Sequence, residues 1–517
     1  MRVNTHVPVS VFQGRARRSP RRVCVGLILG LSARASTSAA QATPLVEPTE
    51  RVYRDLDRLA SMGLIDTLMV GMRPFSEREI VRRLTEAKNN LPRLRSGREW
   101  AEKTIKVDLE RYRRDDNHLV DAVSLEATAM PSLFRESPSF GGFSLPALVN
   151  PIVANREGRP AVNGATDLVE TMHTATIGRN LAVVLNPRAS ASSQRGSIRQ
   201  TDLALQSGYV RALVGDLSIE VGRDYAIFGQ TPTGGLLLST NAPPFDMVRI
   251  ANDGAWRIPK LSSLTGPLRA SLFVADLGAR NLPHPHSKVI AYHLSMLPAA
   301  NFELGLQVLN AMGGDGGVGA SFGDRLLDAM ILPLIFRRDA AFQFSNRLVG
   351  LDAHWRMPRW RGLDVYVESD ADDFNGRAGA LVGVSLACLG ECGKTSVRAE
   401  FHRTGELFYT HWSNPISAQG LVLGDPLGPR AYGYYLTTDR EFGRAAVAIT
   451  GAFESRKGET LPRERRARAE ATLTFGEDRA IATMISGALE RVWNFGFVRG
   501  DGRTNGLVRV GVVARVW

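Results

Sequence analysis

The stretch Asp216-Leu-Ser-Ile-Glu-Val-Gly-Arg-Asp-Tyr-Ala-Ile-Phe-Gly-Gln-Thr-Pro-Thr-Gly-Gly-Leu-Leu-Leu-Ser-Thr-Asn-Ala-Pro-Pro-Phe-Asp246 begins as a strand and ends as a loop. Leu217, Ile219 and Val221 fall on one side of an alternation, and Ser218, Glu220 and Gly222 on the other, the period of a β-strand. Gly229, Pro232, Gly234 and Gly235 then break the regularity. An apolar run, Leu236 to Leu238, leads into Asn241-Ala-Pro-Pro244, a stiff corner poor in backbone donors. A strand that delivers such a loop belongs to a sandwich, a barrel or a binding rim.

The same period of two recurs on both sides of it. Val123, Leu125, Ala127 and Ala129 alternate with Ser124, Glu126 and Thr128; Phe302, Leu304, Leu306 and Val308 with Glu303, Gly305 and Gln307. Val349, Leu351, Ala353 and Trp355 alternate with Gly350, Asp352 and His354, and Ala467 to Phe475 repeats the pattern with Arg466, Arg468 and Glu470 between. Each sheet therefore has one apolar and one charged face. In a soluble sandwich the apolar face is the core; in an outer-membrane barrel it meets lipid and the charged face lines the lumen. Periodicity is the same in both. About 400 residues holding sixteen to eighteen strands, without interleaved helices or a short repeat, favour one large closed barrel. Strands of about ten residues also match the span of a bilayer.

Composition excludes several classes. Hydrophobic residues make up 44% and charged ones 22% of 517 residues, so the chain is neither disordered nor built from membrane helices. The formal charge of +12 suggests nucleic acid, but seven arginines (Arg2, Arg15, Arg17, Arg18, Arg21, Arg22, Arg34) lie in residues 1–40 with no acid. Without them the balance is +5, which calls for no nucleic-acid partner. Residues 1–40 read as an export signal: a basic region, the apolar run Val23 to Leu31, and small residues Ser36 to Ala40 with cleavage near Ala40. General secretion is preferred to a twin-arginine route at Arg21-Arg22; a basic disordered tail is the competing reading.

Residues 47–117 carry a helical pattern. Val52, Leu56, Leu59, Ala60 and Gly63 form one stripe. A second helix opens at Ser76, with Glu79 completing a capping box, and buries Ile80, Val81, Leu84 and Ala87. A third runs from Arg98 past Trp100, Ile105, Leu109 and Tyr112. Arg82, Arg83, Arg111, Arg113 and Arg114 are expected on solvated faces. Cys24 would leave with the signal. Cys388 and Cys392 remain, four apart in a turn-like segment, and a disulfide is preferred there to a metal site, which would need further ligands. The chain ends on Trp517, an aromatic, yet Val508 to Val516 hold the apolar parity and Trp517 shares that of Arg509 and Arg515. A bulge or an imperfect terminal signal explains the mismatch equally well.

Several segments together resemble the capsule-assembly protein Wzi family of outer-membrane barrels. They are Tyr53 to Asp66 with Arg73-Pro-Phe-Ser76; Gly222-Arg223, Phe228-Gly229 and Ser239 to Phe245; Asn346 to Asp352, Trp355 to Pro358 and Glu368 to Asp373; and Leu423 to Pro429. The resemblance implies an all-β transmembrane barrel of about 18 antiparallel strands (residues 118–517) behind a small periplasmic helical bundle. It also implies a lectin-like, non-catalytic role in holding capsular polysaccharide at the cell surface. Phe228 stands alone where the family pattern has a neighbouring tryptophan, and Arg430 follows Pro429 in place of an acid.

Glycan-binding candidates are Arg223, Asn241, His402, Tyr409, His411, Trp412 and Arg430; an aromatic girdle explains the Tyr409–Trp412 group as well. Asp370, Asp372 and Asp373 are carboxylates that could hold a hard cation, with a solvated loop as the simpler reading. His284-Pro-His286 reads as a stiff exposed loop and Asp315, among Gly313, Gly314, Gly316 and Gly317, as a flexible hairpin. Neither a catalytic set nor Gly-x-Ser-x-Gly is present, so no enzyme, metal or cofactor is expected. The inward set (Glu126, Glu220, Glu303, Asp352, Glu368, Arg398, Glu400, Arg466, Arg468, Glu470) carries both signs, which favours a plugged or narrow lumen over a selective pore. The expected partners are polysaccharide, outer-membrane lipid and the barrel-assembly machinery, with a monomeric state. A solute channel and a secreted glycan-active enzyme are the rival functions.

Overall fold

The computed structural model describes residues 41–113, 120–130, 151–194, 200–317, 345–372, 377–411, 413–458 and 462–516, with isolated positions between 319 and 325. The export-signal reading of 1–40, and the readings at Arg114, Asp373, Trp412 and Trp517, lie outside these residues. Eighteen antiparallel strands close into one barrel. They are β1 (Ala122–Met130), β2 (Gly164–Ile177), β3 (Leu181–Gln194), β4 (Gln200–Val214), β5 (Leu217–Asp224) and β6 (Phe245–Asn252), followed by β7 (Leu268–Asp276), β8 (Lys288–Ala299), β9 (Phe302–Met312), β10 (Ser345–Met357), β11 (Leu363–Asp372) and β12 (Arg377–Leu386). The circuit continues through β13 (Thr395–Arg403), β14 (Ala431–Phe442), β15 (Ala445–Arg456), β16 (Glu464–Phe475), β17 (Ile481–Trp493) and β18 (Gly502–Arg515). Each strand pairs with its neighbours in sequence, and Ala122 opposite Arg515 joins β1 to β18. β18 pairs on both sides without a register shift, so no bulge resets its phase.

The burial pattern decides between sandwich and barrel. Leu351 is 62% exposed while Asp352 beside it is 3% exposed. The same inversion holds for Val221 and Glu220, for Ile250 and Arg249, and for Leu489 and Glu490. A soluble sheet would bury its apolar face; this one turns it outward and hides its charges, which only lipid makes favourable. Trp355, Trp360, Phe442 and Phe475 are exposed towards one rim, and Tyr434, Phe453 and Trp493 towards the other, as interfacial girdles require. Leu351→Arg is therefore expected to destabilise the folded barrel in lipid by about 2–4 kcal/mol. Denaturant titration in phospholipid vesicles checks it, and an unchanged midpoint would contradict a lipid-facing Leu351.

The two rims differ. At one, connections are short, such as 215–216, 300–301 and 443–444; at the other lie long loops, including 225–244 and 404–430. Three helices dock on the short-turn rim: α1 (Arg51–Ser61), α2 (Glu77–Asn90) and α3 (Arg98–Tyr112). Val52, Leu56, Leu59, Ile80, Leu84, Trp100, Ile105 and Leu109 form their common core, the faces expected from a 3.6-residue period. Ser76 caps α2, its Oγ accepting the Glu79 N–H at 3.1 Å. The Glu79 carboxylate does not return to the cap but binds Arg82 and Arg83. Arg83 and Arg111 are thus not solvated: Arg83 is buried between Glu79 and Glu86, and Arg111 meets Glu50 at 3.0 Å. The helices hold the turns through Arg54–Glu477 at 2.8 Å, Arg58–Glu441 at 2.7 Å and Arg78–Asp216 at 3.3 Å. Cys388 and Cys392 are disulfide-bonded, with Cα atoms 4.0 Å apart. The left-handed Gly97 rests on that hairpin, where a Cβ would come within 2.7 Å of the Cys392 carbonyl.

Candidate functional site

The barrel interior has two unlike halves. Along β7–β12 it is filled by an apolar core. Residues 225–244 fold inward from the long-loop rim and place Phe228, Leu236, Leu237 and Leu238 against Phe273, Ala291, Leu309, Tyr366 and Leu381 of the wall. Residues 404–430 follow, adding Phe408, Tyr409, Ile416 and Val422 to the same cluster. From the opposite rim, Met72-Arg73 reaches up and pairs antiparallel with Ile227-Phe228. The apolar run inside the Gly/Pro loop is the centre of a plug, a lumen element that constricts the barrel.

Buried polar side chains of the wall fasten this plug. Glu368 accepts the Leu236 N–H at 2.7 Å and the Gln307 amide at 2.8 Å. Glu303 accepts the N–H groups of Val70 at 2.8 Å and Gly71 at 3.0 Å. Asp352 takes the Gln230 amide and lies 3.0 Å from His293 Nε2. Arg73 donates to the carbonyls of Thr231 and, at 2.7 Å, Pro232. Gly229 is required here: its φ is +112°, and a Cβ would lie 2.5 Å from the Gly235 Cα. A loop forced into a barrel loses water from its backbone, and each such bond replaces a partner whose absence costs about 1–3 kcal/mol.

The residues singled out as glycan candidates fall into three places. Asn241, Tyr409 and His411 are inside the plug. Asn241 donates to the Val422 carbonyl at 2.9 Å. The Tyr409 hydroxyl donates to the Leu236 carbonyl at 2.6 Å and accepts from the Asp425 N–H at 2.8 Å. His411 Nδ1 accepts from Ser413 and Asn414 at 3.1 and 2.9 Å. Tyr409 and His411 are buried, so they form no girdle. His402 and Arg430 lie at the plug margin: His402 is 2.6 Å from Asp425 and its ring is 4.8 Å from that of Tyr435, while Arg430 pairs with Glu406 at 3.3 Å. Arg223 stands apart on the outward parity of β5, forked onto Asp246 at 2.7 and 2.6 Å. Asp370 and Asp372 are buried strand residues rather than a solvated loop. Among the described residues no group of three or more His, Cys, Asp or Glu is arranged to hold a metal.

The other half, along β16–β18 and β1–β3, holds a chamber of about 550 Å³, with many charged residues in its lining, that the sequence did not suggest. Residues 44–51, Glu77 and Arg111 bound it on the helix side; Asn155 to Arg159 of the β1–β2 loop fold inward to cap it. Glu126 meets Arg156, with Arg509 at 4.0 Å; Arg159 binds Glu157 and, at 2.9 Å, Glu170; Glu50 lies between Arg111 and Arg515, the latter at 3.7 Å. Burial, opposed by Arg159 and reinforced by Glu157, Glu170 and Glu50, pushes the Glu47 carboxyl up to about 8. Against its own burial, Glu50 is held below the ordinary carboxylate range by Arg111 and Arg515.

The architecture has known counterparts. Among solved structures, the Escherichia coli Wzi, described as an outer-membrane protein involved in group 1 capsule assembly and a carbohydrate-binding β-barrel, superposes with a TM-score of 0.67 at 16% identity, covering 92% of this chain and 100% of that one. Acinetobacter baumannii OccAB1 (TM-score 0.45, 9% identity, 77% of this chain and 97% of that one) and Pseudomonas aeruginosa OpdL (0.44, 10%, 77% and 99%) are more distant barrels on which nothing is built. No curated protein matches. The family described as capsule assembly protein Wzi matches residues 147–507, ending within β18. With that match laid over an inside-out, eighteen-stranded sheet, the chain belongs to the Wzi capsule-assembly family and is an outer-membrane β-barrel.

Proposed function

We propose that this barrel retains or organises capsular or other extracellular polysaccharide at the cell surface, in a lectin-like and non-catalytic way. The observation that carries the reading is the plug. A lumen fastened by Glu303, Asp352, Glu368 and Tyr409 to segments from both rims is built to present a fixed outer surface rather than to pass solute. The helices and short turns then face the periplasm and the long loops the exterior, the usual arrangement in such barrels. Family membership and the fold of the carbohydrate-binding relative support polysaccharide as the ligand.

The expected result in a capsule-forming host is that deleting the gene shifts polysaccharide from the cell-bound to the shed fraction while total synthesis stays constant. Uronic-acid assay of washed cells and culture supernatant measures both. An unchanged partition would overturn the reading. Stepwise conductance of the intact protein in planar bilayers would favour a channel instead.

A further inference from the structure

The chamber on the β16–β3 side is absorbed by neither the plug nor the surface role. Its cap is deliberate in geometry: Asn155 and Glu157, both non-glycine residues with φ near +55°, flank Arg156 and turn it inward, conformations that are held only when the surroundings enforce them. Arg156 is 7% exposed and uses one nitrogen on Glu126, while its Nε and Nη1 are buried without a hydrogen-bond partner. Arg509, the other cation beside Glu126, has its Nε buried without a hydrogen bond, 4.0 Å from the Glu126 carboxylate. Buried guanidinium donors left unmatched cost more than neutral ones, and a planar oxyanion matches their fork.

We propose that this chamber is a binding site, separate from the outward loops, that takes the carboxylate of an acidic sugar between Arg156 and Arg509. The local charge selects the ligand. At Glu126 two guanidinium groups, Arg156 and Arg509, face one carboxylate, a local excess of one positive charge beside the separate Arg159, Glu157 and Glu170 cluster. A uronate supplies one negative charge. A phosphate monoester, close to dianionic, would add repulsion from Glu126 and the neighbouring Glu170. Ser124, Thr174, Thr176 and Thr483 also line the chamber, and hydroxyl groups of this kind suit the remaining hydroxyls of a sugar. The volume lies within the roughly 300–1,000 Å³ common for small-molecule sites. The carboxylate follows from these residues; that it is carried by a saccharide rests on the function proposed above.

The test uses the full chain, purified in detergent, with glucuronate, glucuronate methyl ester and glucose 6-phosphate followed by saturation-transfer NMR and titration. Glucuronate is expected to bind, with the ester and the phosphate at least about tenfold weaker, and Arg156→Gln or Arg509→Gln to weaken glucuronate by about tenfold or more. Arg156→Lys should keep part of the affinity. Unchanged heat-modifiable gel mobility shows that the variants remain folded. Equal binding of acid and ester, no binding of glucuronate, or affinity indifferent to both Gln variants would overturn the proposal. Glucuronate binding in a protein whose deletion leaves the polysaccharide partition unchanged would remove the retention role alone. Shedding on deletion without glucuronate binding would remove the chamber alone.

Discussion

Arg249→Met is expected to cost the barrel about 3–5 kcal/mol, far more than the loss of one surface ion pair. Arg249 lies on β6, on the inward parity, and is buried with both acids that it serves. Its Nη2 is 2.7 Å from Glu220 and 2.7 Å from Asp224, and its Nη1 donates to the Tyr225 carbonyl at 2.7 Å. Methionine fills a comparable volume but leaves two carboxylates facing each other in a dry wall, together with an unmatched carbonyl. One of those acids must then take up a proton or draw in water, and both responses cost stability. Tyr225 begins the inward loop, so the same change also loosens the start of the plug. Denaturant titration followed by heat-modifiable mobility measures the loss. Adding Glu220→Gln to Arg249→Met should recover part of it, because the repulsion is removed with the charge. A loss below about 1 kcal/mol would mean that the cluster is hydrated and that Arg249 is a lumen surface residue.

The sheet was legible in the sequence because side-chain alternation is a local property that survives whatever surrounds it. Leu351 and Asp352, or Val221 and Glu220, announce two faces. They do not say which face is wet, since lipid and a protein core select the same residues; strand number and chain length had to supply that. The helices were legible for the same reason, and the third of them starts at Arg98 as the pattern suggested, ending at Tyr112. The mixed charges of the inward set pointed to a plugged or narrow lumen, but the contacts that build the plug were not legible, because they join residues far apart in the chain. Asn241 meets Val422 across 181 positions and Tyr409 meets Leu236 across 173. One local signal was there to be used: Leu236-Leu237-Leu238 is too apolar for a loop in water. Arg83 carried a signal too, with Glu79 four residues before it and Glu86 three after, a spacing that suits a paired arginine better than a solvated one. Arg156 offered none, for its inward turn depends on two left-handed neighbours that no residue type there demands.

Replacing residues 231–240 by a short Gly-Ser linker is expected to turn an electrically silent barrel into a conducting one. Eighteen strands enclose a lumen wide enough for an aqueous channel unless something fills it, and here the filling on the β7–β12 side is the apolar loop centre. The replacement removes Leu236, Leu237 and Leu238 from the core. It removes the Leu236 N–H from Glu368 Oε1, leaving that oxygen only the Gln307 amide, and it takes from Tyr409 the carbonyl to which its hydroxyl donates. Loop 404–430 loses its ties at Ser239, whose N–H and hydroxyl bind the carbonyls of Leu423 and Gly424 at 2.9 and 2.6 Å. Wall carboxylates Asp352, Glu368 and Asp370 would then face water, so the opened pore should prefer cations. Tyr409→Phe is the graded counterpart. It deletes one donor and one acceptor, worth about 1–3 kcal/mol, and should leave the barrel silent while making 404–430 more accessible to protease. Planar-bilayer recording of the three proteins separates the cases. A silent linker variant would show that Met72-Arg73 and its flanks, held by Glu303 from the helix side, close the lumen without the loop. Conductance by the intact protein would show that the chamber on the β16–β3 side is continuous from rim to rim, and the plug would then be a wall of the pore and not its stopper.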